Sequence, residues 1–147
     1  MEFDELDLKI LAELLRDSRL SFRQIAKKVG SSVGTVLSRV RRMEEEGVIK
    51  GYTAILDHEK LGYQLTAITE LTVSRGRLLE VEREVAKLPN ACAVYDVTGD
   101  VDAIVIAKFK RREELSKFTK GLLALPFVER TNTHVILTTI KEDFRLL

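Results

Sequence analysis

The stretch from Ser18 to Met43 contains seven basic residues and no acidic residue. The whole chain, by contrast, balances 24 basic residues against 23 acidic ones over 147 positions. Surfaces that face only water normally intersperse both signs of charge. A cluster of one sign instead favours a polyanionic partner, because Lys and Arg release the counterions condensed on nucleic acid. The stretch therefore predicts a surface that binds DNA.

Two helices joined by a tight turn are predicted within this stretch. Ser21 is a helix N-cap, and Gln24 three residues later completes a capping box. Gly30 can adopt the left-handed conformation that ends this helix, and Ser32 caps the next one. The pattern predicts a helix-turn-helix.

The third helix, from Val33 to about Glu46, is the candidate recognition helix. Its apolar residues recur at helical spacing and form a face that should be buried. Short hydroxyl side chains near its N-terminus allow close approach to base edges, and basic residues suit phosphates. The predicted DNA-contacting residues are Arg23, Lys27, Ser32, Val33, Thr35, Ser38, Arg39, Arg41 and Arg42.

The first 50 residues form the predicted helix-turn-helix domain. A first helix runs from the Asp4 cap to about Asp17, and the negative charge of Asp7 interacts favourably with the positive end of the helix dipole. Residues 48–56 alternate loosely and predict a short strand, the wing of such domains, or an extended linker. We place the domain boundary near residue 57, inside a linker of residues 51–62 that leads into a second domain at 63–147.

The second domain is predicted to have the order βαββαβ of ferredoxin-like folds, which makes the fold class α+β. Strands are expected at 63–73, 91–97, 102–109 and 128–140, and helices at 77–88 and 112–123. The only two prolines, Pro89 and Pro126, each follow a helix and precede a strand. They lie 37 positions apart (126 minus 89), which supports a repeated βαβ unit.

One face of the predicted sheet lacks a cover within the chain. Two helices can cover only one face of four strands, yet residues 103–107 are apolar on both faces. A second copy of the chain is the economical cover and gives a symmetric homodimer. Such a dimer also suits double-stranded DNA, because two recognition helices can bind half-sites one helical turn apart.

Composition excludes several classes of protein. Hydrophobic residues make up 45% of the chain, so it is not a disordered protein. No run of 18 apolar residues predicts a membrane span, and the acidic N-terminus lacks a signal peptide, so a cytoplasmic location is expected. Cys92, the only cysteine, is expected in the core. No catalytic or metal-binding constellation is found, so the sequence predicts no enzyme, no metal and no cofactor.

Several short segments share their order and spacing with one protein family. They are Leu6-Asp7 with Lys9-Ile10-Leu11, Asp17-Ser18-Arg19-Leu20-Ser21, Ile25-Ala26, Arg39-Val40, Glu45-Glu46-Gly47-Val48-Ile49, Lys50-Gly51-Tyr52, Lys60-Leu61-Gly62-Tyr63 and Val97-Thr98-Gly99-Asp100-Val101-Asp102. Together they resemble the Lrp/AsnC family, also called feast/famine regulatory proteins. The last segment is similar to the glycine–aspartate hairpin of the family's RAM domain, an ACT-like module.

The resemblance implies a sequence-specific transcriptional regulator that binds DNA. It also implies a homodimer joined through the C-terminal sheets, assembly into tetramers or octamers, and an amino-acid effector bound between dimers. Lys120 would favour an acidic or neutral polar effector. Carried over by position, the effector site comprises Thr98, Gly99, Asp100, Val101 and Asp102, with Thr131 and Thr133 of a facing subunit and Ser116 and Lys120 of the last helix.

Two alternative functions stay open at this point. An architectural protein that compacts DNA without an effector would have almost the same sequence, and only its specificity ratio would differ. The architecture also resembles that of the sirohaem decarboxylases. Against an enzyme, His58 and His134 lie far apart in sequence, and no serine, cysteine or carboxylate cluster has catalytic spacing.

Overall fold

The structure, a computed structural model, describes residues 3–147. It divides into two compact units. The first reaches Ile55 and includes Glu142–Leu147, and the second spans Leu56–Lys141. Within the described residues, the first unit contains three helices and the second contains four strands and two helices.

The first unit consists of α1 (Glu5–Arg16), α2 (Phe22–Val29) and α3 (Val33–Glu45). Each helix contributes one apolar stripe to a common core, as the spacing of the apolar residues predicts. Ile10 of α1, Ile25 of α2 and Val36, Val40 and Met43 of α3 are completely buried in it. The opposite face of α3 is therefore the one that remains open to solvent.

The predicted helix caps are present at the start of α2 and in the turn between α2 and α3. Ser21 Oγ accepts a bond from Gln24 N at 3.1 Å, and Gln24 Oε1 accepts one from Ser21 N at 2.8 Å. Gly30 ends α2 with φ +70°, a conformation that favours glycine. Ser32 Oγ then accepts from Thr35 N at 3.1 Å and starts α3. These local bonds fix the turn that places α3 at the surface.

The segment after α3 forms no strand between residues 46 and 64. Of the two structures predicted for residues 48–56, the linker is therefore the one observed. The backbone N–H groups of Val48 and Ile49 both donate to the carbonyl of Met43. Tyr52 Oη donates to Glu44 Oε1 at 2.8 Å, and burial together with this carboxylate raises the pKa of Tyr52 to about 12.

The second unit confirms the predicted ferredoxin-like order. Its elements are β1 (Leu65–Val73), α4 (Leu78–Ala86), β2 (Ala91–Asp96), β3 (Ala103–Phe109), α5 (Arg112–Ala124) and β4 (Val128–Val135). The antiparallel sheet has the order β2-β3-β1-β4. The last strand is shorter than predicted because its final bond, from Ile136 N to Thr66 O, reaches the beginning of β1.

The strict alternation of β1 and β3 separates two faces of the sheet. Alternate residues such as Ala67, Leu71 and Val105 are buried in the core that α4 and α5 cover. Ile68 and Ile106 are paired across the strands on the opposite face, where they are only half-buried. This open face carries apolar side chains, as residues 103–107 predict.

The expectation that Cys92 lies in the core is wrong. The thiol is exposed on β2. The β2–β3 register shifts between Ala91 and Ala93, so Cys92 is the extra residue of a bulge and leaves the alternation that would have buried it. Its Sγ lies 3.6 Å from the carbonyl oxygen of Asn90.

Candidate DNA interface and effector cleft

The outward face of α3 combines small side chains with one basic residue. Gly34, Ser38 and Arg41 follow one another at intervals of four and three residues, so they lie on one face of the helix. All three are exposed, and an added Cβ at Gly34 would meet no atom within 4 Å. This stripe is a narrow surface with a cation near its C-terminal end, and it suits entry into a DNA groove.

Most basic residues of the acid-free stretch are paired with carboxylates from outside it. These pairs are Arg19 with Asp17, Lys28 with Glu13, Arg39 with Asp4 and Asp7, and Arg42 with Asp7. Among the described residues, Arg23, Lys27 and Arg41 have no ion pair. These three side chains are therefore the ones whose positive charge is available to a partner.

Asp7 links α1 to the candidate recognition helix. It is completely buried, and its Oδ2 accepts from Arg42 Nη2 at 2.7 Å and from Arg39 Nη1 at 3.1 Å. The same carboxylate accepts from Asp4 N at 3.2 Å, which completes a capping box on α1. The backbone N–H of Asp7 and the Arg39 side chain lower the pKa of Asp4. Two arginines predicted to contact DNA thus fix the position of α3.

This role of Asp7 was missed from the sequence, which suggested only a favourable charge at the start of α1. The ion pairs join residues 32 and 35 positions apart, so helical spacing within α1 does not reveal them. A signal does exist in retrospect. Asp7 stands three residues before Ile10, on the apolar stripe of α1, where a carboxylate is buried and needs partners.

The N-terminal turn of α3 carries three further predicted residues. Ser32 and Thr35 bond to each other through their hydroxyl oxygens at 2.8 Å. Ser32 is exposed and Thr35 is half-buried. Val33 is 42% exposed, so its methyl groups are open to solvent.

The glycine–aspartate turn between β2 and β3 forms one wall of an open cleft of about 680 Å³. Gly99 adopts φ +115° there, which strains any other residue. The cleft is lined by Glu70, Asp96, Val97, Thr98, Asp100, Val101 and Ile104. Three of the predicted effector residues therefore line one cleft. Glu70 and Asp96 were not predicted, and with Asp100 they make its lining acidic.

Asp102 holds this turn against β1. Its Oδ2 accepts from Val73 N at 2.8 Å, and its own N–H donates to Leu71 O at 2.9 Å. Its carbonyl accepts from Val97 N at 3.1 Å, which closes the hairpin. The Asp102 carboxylate, which was predicted to belong to the effector site, thus bonds to the backbone and positions the turn.

Glu70 reaches the cleft from the open face of the sheet. Its Oε2 accepts from Asn132 Nδ2 at 2.8 Å and lies 3.2 Å from His134 Nε2. The contact with His134, followed by the bond from Asn132, lowers the pKa of Glu70 and keeps it ionised. The β1–β4 register brings these side chains together, which explains why sequence reasoning missed Glu70.

The remaining predicted effector residues lie elsewhere in the second unit. Thr131 and Thr133 pair with Leu71 and Thr69 of β1, so they face the side of the sheet that the helices cover. Thr133 Oγ1 lies 3.1 Å from Thr69 Oγ1. Ser116 and Lys120 are exposed on α5. None of the four lines the cleft of its own chain, so a shared site would need a neighbouring subunit.

Residues 3–147 contain no group of three or more His, Cys, Asp or Glu side chains placed to hold a metal ion. None of the helices in these residues combines the length and apolar composition needed to cross a membrane.

Two family descriptions match the two units. Residues 3–50 match "Winged helix-turn-helix DNA-binding", and residues 66–146 match "Lrp/AsnC ligand binding domain". Together they account for most of the chain. The first match contains the Gly34, Ser38 and Arg41 stripe, and the second contains the glycine–aspartate turn with its cleft.

Whole-length relatives are named as transcriptional regulators. An uncharacterised HTH-type transcriptional regulator of Pyrococcus furiosus is 51% identical over 99% of both chains. The HTH-type transcriptional regulator FL11 of Pyrococcus horikoshii is 40% identical over 97% of this chain and 95% of its own length. The leucine-responsive regulatory protein of Salmonella typhimurium is 34% identical, over 99% of this chain and 92% of its own length.

Solved structures have the same fold. B. subtilis LrpC is 33% identical with a TM-score of 0.86, covering 97% of this chain and 100% of its own. The transcriptional regulator NMB0573 of Neisseria meningitidis, solved as a complex with L-Met, is 25% identical with a TM-score of 0.90, covering 99% and 97%. The chain belongs to the Lrp/AsnC family of DNA-binding transcriptional regulators.

Proposed function

We propose that this regulator recognises specific operator DNA with α3 and that an amino acid bound at the glycine–aspartate turn changes its affinity for DNA. It would act in the cytoplasm, without metal, cofactor or enzymatic activity. The observation that carries this function is the exposed stripe of Gly34, Ser38 and Arg41 on α3, directly opposite the buried face of the same helix. A helix with one face fixed in the core and a small, cationic outer face can enter the major groove.

The predicted DNA-contacting residues divide into two groups by their partners. Arg23, Lys27 and Arg41 are exposed and have no ion pair among the described residues, so we assign them to phosphates. We assign Ser32, Val33, Thr35 and Ser38 to base edges, because they carry short side chains near the start of the helix. Arg39 and Arg42 instead set the position of α3 through Asp7, which revises their predicted contact with phosphates.

Assembly through the open face of the sheet would give the two half-site contacts that operator binding needs. Ile68, Ile104 and Ile106 are half-buried on this face in the single chain. Burying them against a second copy would remove apolar surface from water. Further assembly of dimers into a tetramer or octamer would bring the turn of one dimer to the α5 and β4 residues of another.

The acidic lining of the cleft indicates how an amino acid would be oriented there. Glu70, Asp96 and Asp100 would attract its ammonium group. Backbone N–H groups of the turn around Gly99 would bind its carboxylate, with Lys120, Ser116, Thr131 and Thr133 contributed by a neighbouring subunit. The complex of the Neisseria relative with L-Met supports an amino acid as the class of ligand.

The experiment is footprinting of the DNA upstream of the protein's own gene, with and without a panel of amino acids. Protected sites spaced by helical turns, with a pattern that one amino acid changes, would support the proposal and name the effector. Uniform coverage, with equal affinity for random DNA and no response to any amino acid, would contradict it. That outcome would favour an architectural protein, in which the turn serves assembly alone.

A further inference from the structure

A second cleft, of about 630 Å³, lies in the second unit at a different place from the glycine–aspartate turn. It is formed by α5, the turn between α4 and β2, and the residue Tyr63 that precedes β1. The two clefts share no lining residue. The size is within the range of pockets that hold small organic ligands.

The inner surface of this cleft is apolar. Phe118 is 8% exposed and stacks edge-on against the buried Phe109 at 5.1 Å between ring centroids. Leu88 and Leu125 pack against the same core and are half-buried. An apolar ligand group seated on Phe118, Leu88 and Leu125 would therefore rest on a rigid floor.

Gly121 keeps the cleft open on the α5 side. It lies inside the helix without positive φ, so its backbone conformation does not require glycine. An added Cβ would meet no atom within 4 Å, so packing does not require glycine either. Glycine in a helix interior is less stable than alanine. The absence of a side chain at Gly121 does, however, leave free space in the cleft.

The charges at the rim favour an anion. Lys110 Nζ lies 4.9 Å from the centre of the Tyr63 ring, and Lys117 has no ion pair among the described residues. The one carboxylate, of Glu114, already has partners, because it accepts from Lys110 N at 3.0 Å and pairs with Arg111 Nε at 3.4 Å. These bonds lower the pKa of Glu114. The cleft thus offers two ammonium groups above an apolar floor.

We propose that this cleft binds a small carboxylate with an apolar body, at a site independent of the glycine–aspartate turn. The carboxylate lies between Lys110 and Lys117, and the apolar body lies on Phe118, Leu88 and Leu125. The site sits in the ligand-binding unit but makes no use of the acidic cleft, whose lining suits the ammonium group of an amino acid.

The test measures binding of three probes that share one ring and differ in charge: phenylacetate, 2-phenylethanol and phenethylamine. Binding to the full chain is followed by NMR shifts or calorimetry. We expect phenylacetate to bind about tenfold more tightly than the alcohol, as a charge-assisted hydrogen bond allows, and phenethylamine to bind most weakly. Absence of phenylacetate binding, or tighter binding of the amine, would overturn the proposal.

Variants locate the site. Gly121→Leu should fill the cleft and weaken all three probes at least tenfold, whereas Ala124→Leu, an exposed position of the same helix outside the cleft, should not. Lys117→Gln should reduce the preference for phenylacetate over the alcohol, because Lys110 alone remains, and Arg112→Gln, an equal loss of charge outside the cleft, should keep it. Unfolding midpoints no lower than that of the wild type show that the variants fold. Phenylacetate binding that survives Gly121→Leu would place the probe elsewhere and contradict the proposal.

Discussion

Asp7 and Arg42 form an ion pair of 2.7 Å in which Asp7 is completely buried and the Arg42 side chain is 39% exposed. The pair joins the first turn of α1 to the last turn of α3. Arg39 binds the same carboxylate from the preceding turn of α3. The orientation of α3, the candidate recognition helix, therefore depends on a residue of α1, outside the helix-turn-helix formed by α2 and α3.

Asp7→Asn should destabilise the first unit by about 1–3 kcal/mol. Loss of one partner of a buried ion pair costs about 3–5 kcal/mol, but both arginines can turn to water, which reduces the penalty. Chemical denaturation followed by circular dichroism measures the effect. Glu5→Gln is the matched control, since Glu5 is also acidic and in the first turn but is 81% exposed in its pair with Lys9. Its loss of stability should be much smaller, because an exposed ion pair contributes little. Equal losses in the two variants would show that Asp7 acts only on the helix dipole.

The contacts of Asp7 with Arg39 and Arg42 also show what could and could not be predicted from the sequence. Caps such as Ser21 with Gln24, and the left-handed Gly30, depend on residues three or fewer positions apart, so their chemistry is visible in the sequence. The four strands and their order follow from alternation and length. The charge of a surface is harder to predict from sequence. The basic side chains of a stretch without acidic residues can pair with carboxylates from outside that stretch. Asp4, Asp7, Glu13 and Asp17 supply those carboxylates here.

The same limit applies to the proposed effector cleft. Glu70 and Asp102 both alternate normally in the sequence, and only the pairing of β1 with β3 and β4 shows their roles. Asp102 meets the backbone of Val73, 29 positions away, and Glu70 meets His134, 64 positions away. Register between distant strands is set by packing that a single sequence does not display. Cys92 was misplaced for a similar reason, since a bulge shifts its side chain out of the core.

Asp102→Ala and Asp100→Ala should separate positioning of the turn from contact with the effector. Asp102→Ala leaves the buried N–H of Val73 without its acceptor, which should cost about 1–3 kcal/mol of stability. Asp100 is exposed in the turn, so Asp100→Ala should preserve stability and weaken amino-acid binding. Calorimetry with the effector and thermal unfolding measure the two quantities. Normal amino-acid affinity in Asp100→Ala would remove Asp100 from the site.

The stability difference between the wild type and Glu70→Gln should depend on pH. The contact with His134 lowers the pKa of Glu70 below its usual 4.5. A carboxyl group with a lowered folded-state pKa contributes stability that is fully present above the unfolded-state pKa and is lost as the pH falls through the folded-state pKa. The wild type should therefore be the more stable protein at neutral pH, and the difference should shrink below about pH 4.5. Urea unfolding at several pH values measures it, and a difference that stays constant down to pH 3 would contradict the assigned cause.

The most direct test of the account measures how salt weakens binding to operator DNA for the wild type, Arg41→Gln and Arg42→Gln. Each phosphate contact contributes about −0.9 to the slope of log affinity against log salt concentration. Arg41→Gln should flatten the slope by about 0.9 for each α3 bound, because Arg41 is exposed and has no ion pair among residues 3–147. Arg42→Gln should lower affinity with little change in slope, because Arg42 is paired with Asp7. An unchanged slope for Arg41→Gln, or an equal flattening for Arg42→Gln, would contradict the division between residues that contact DNA and residues that position the recognition helix.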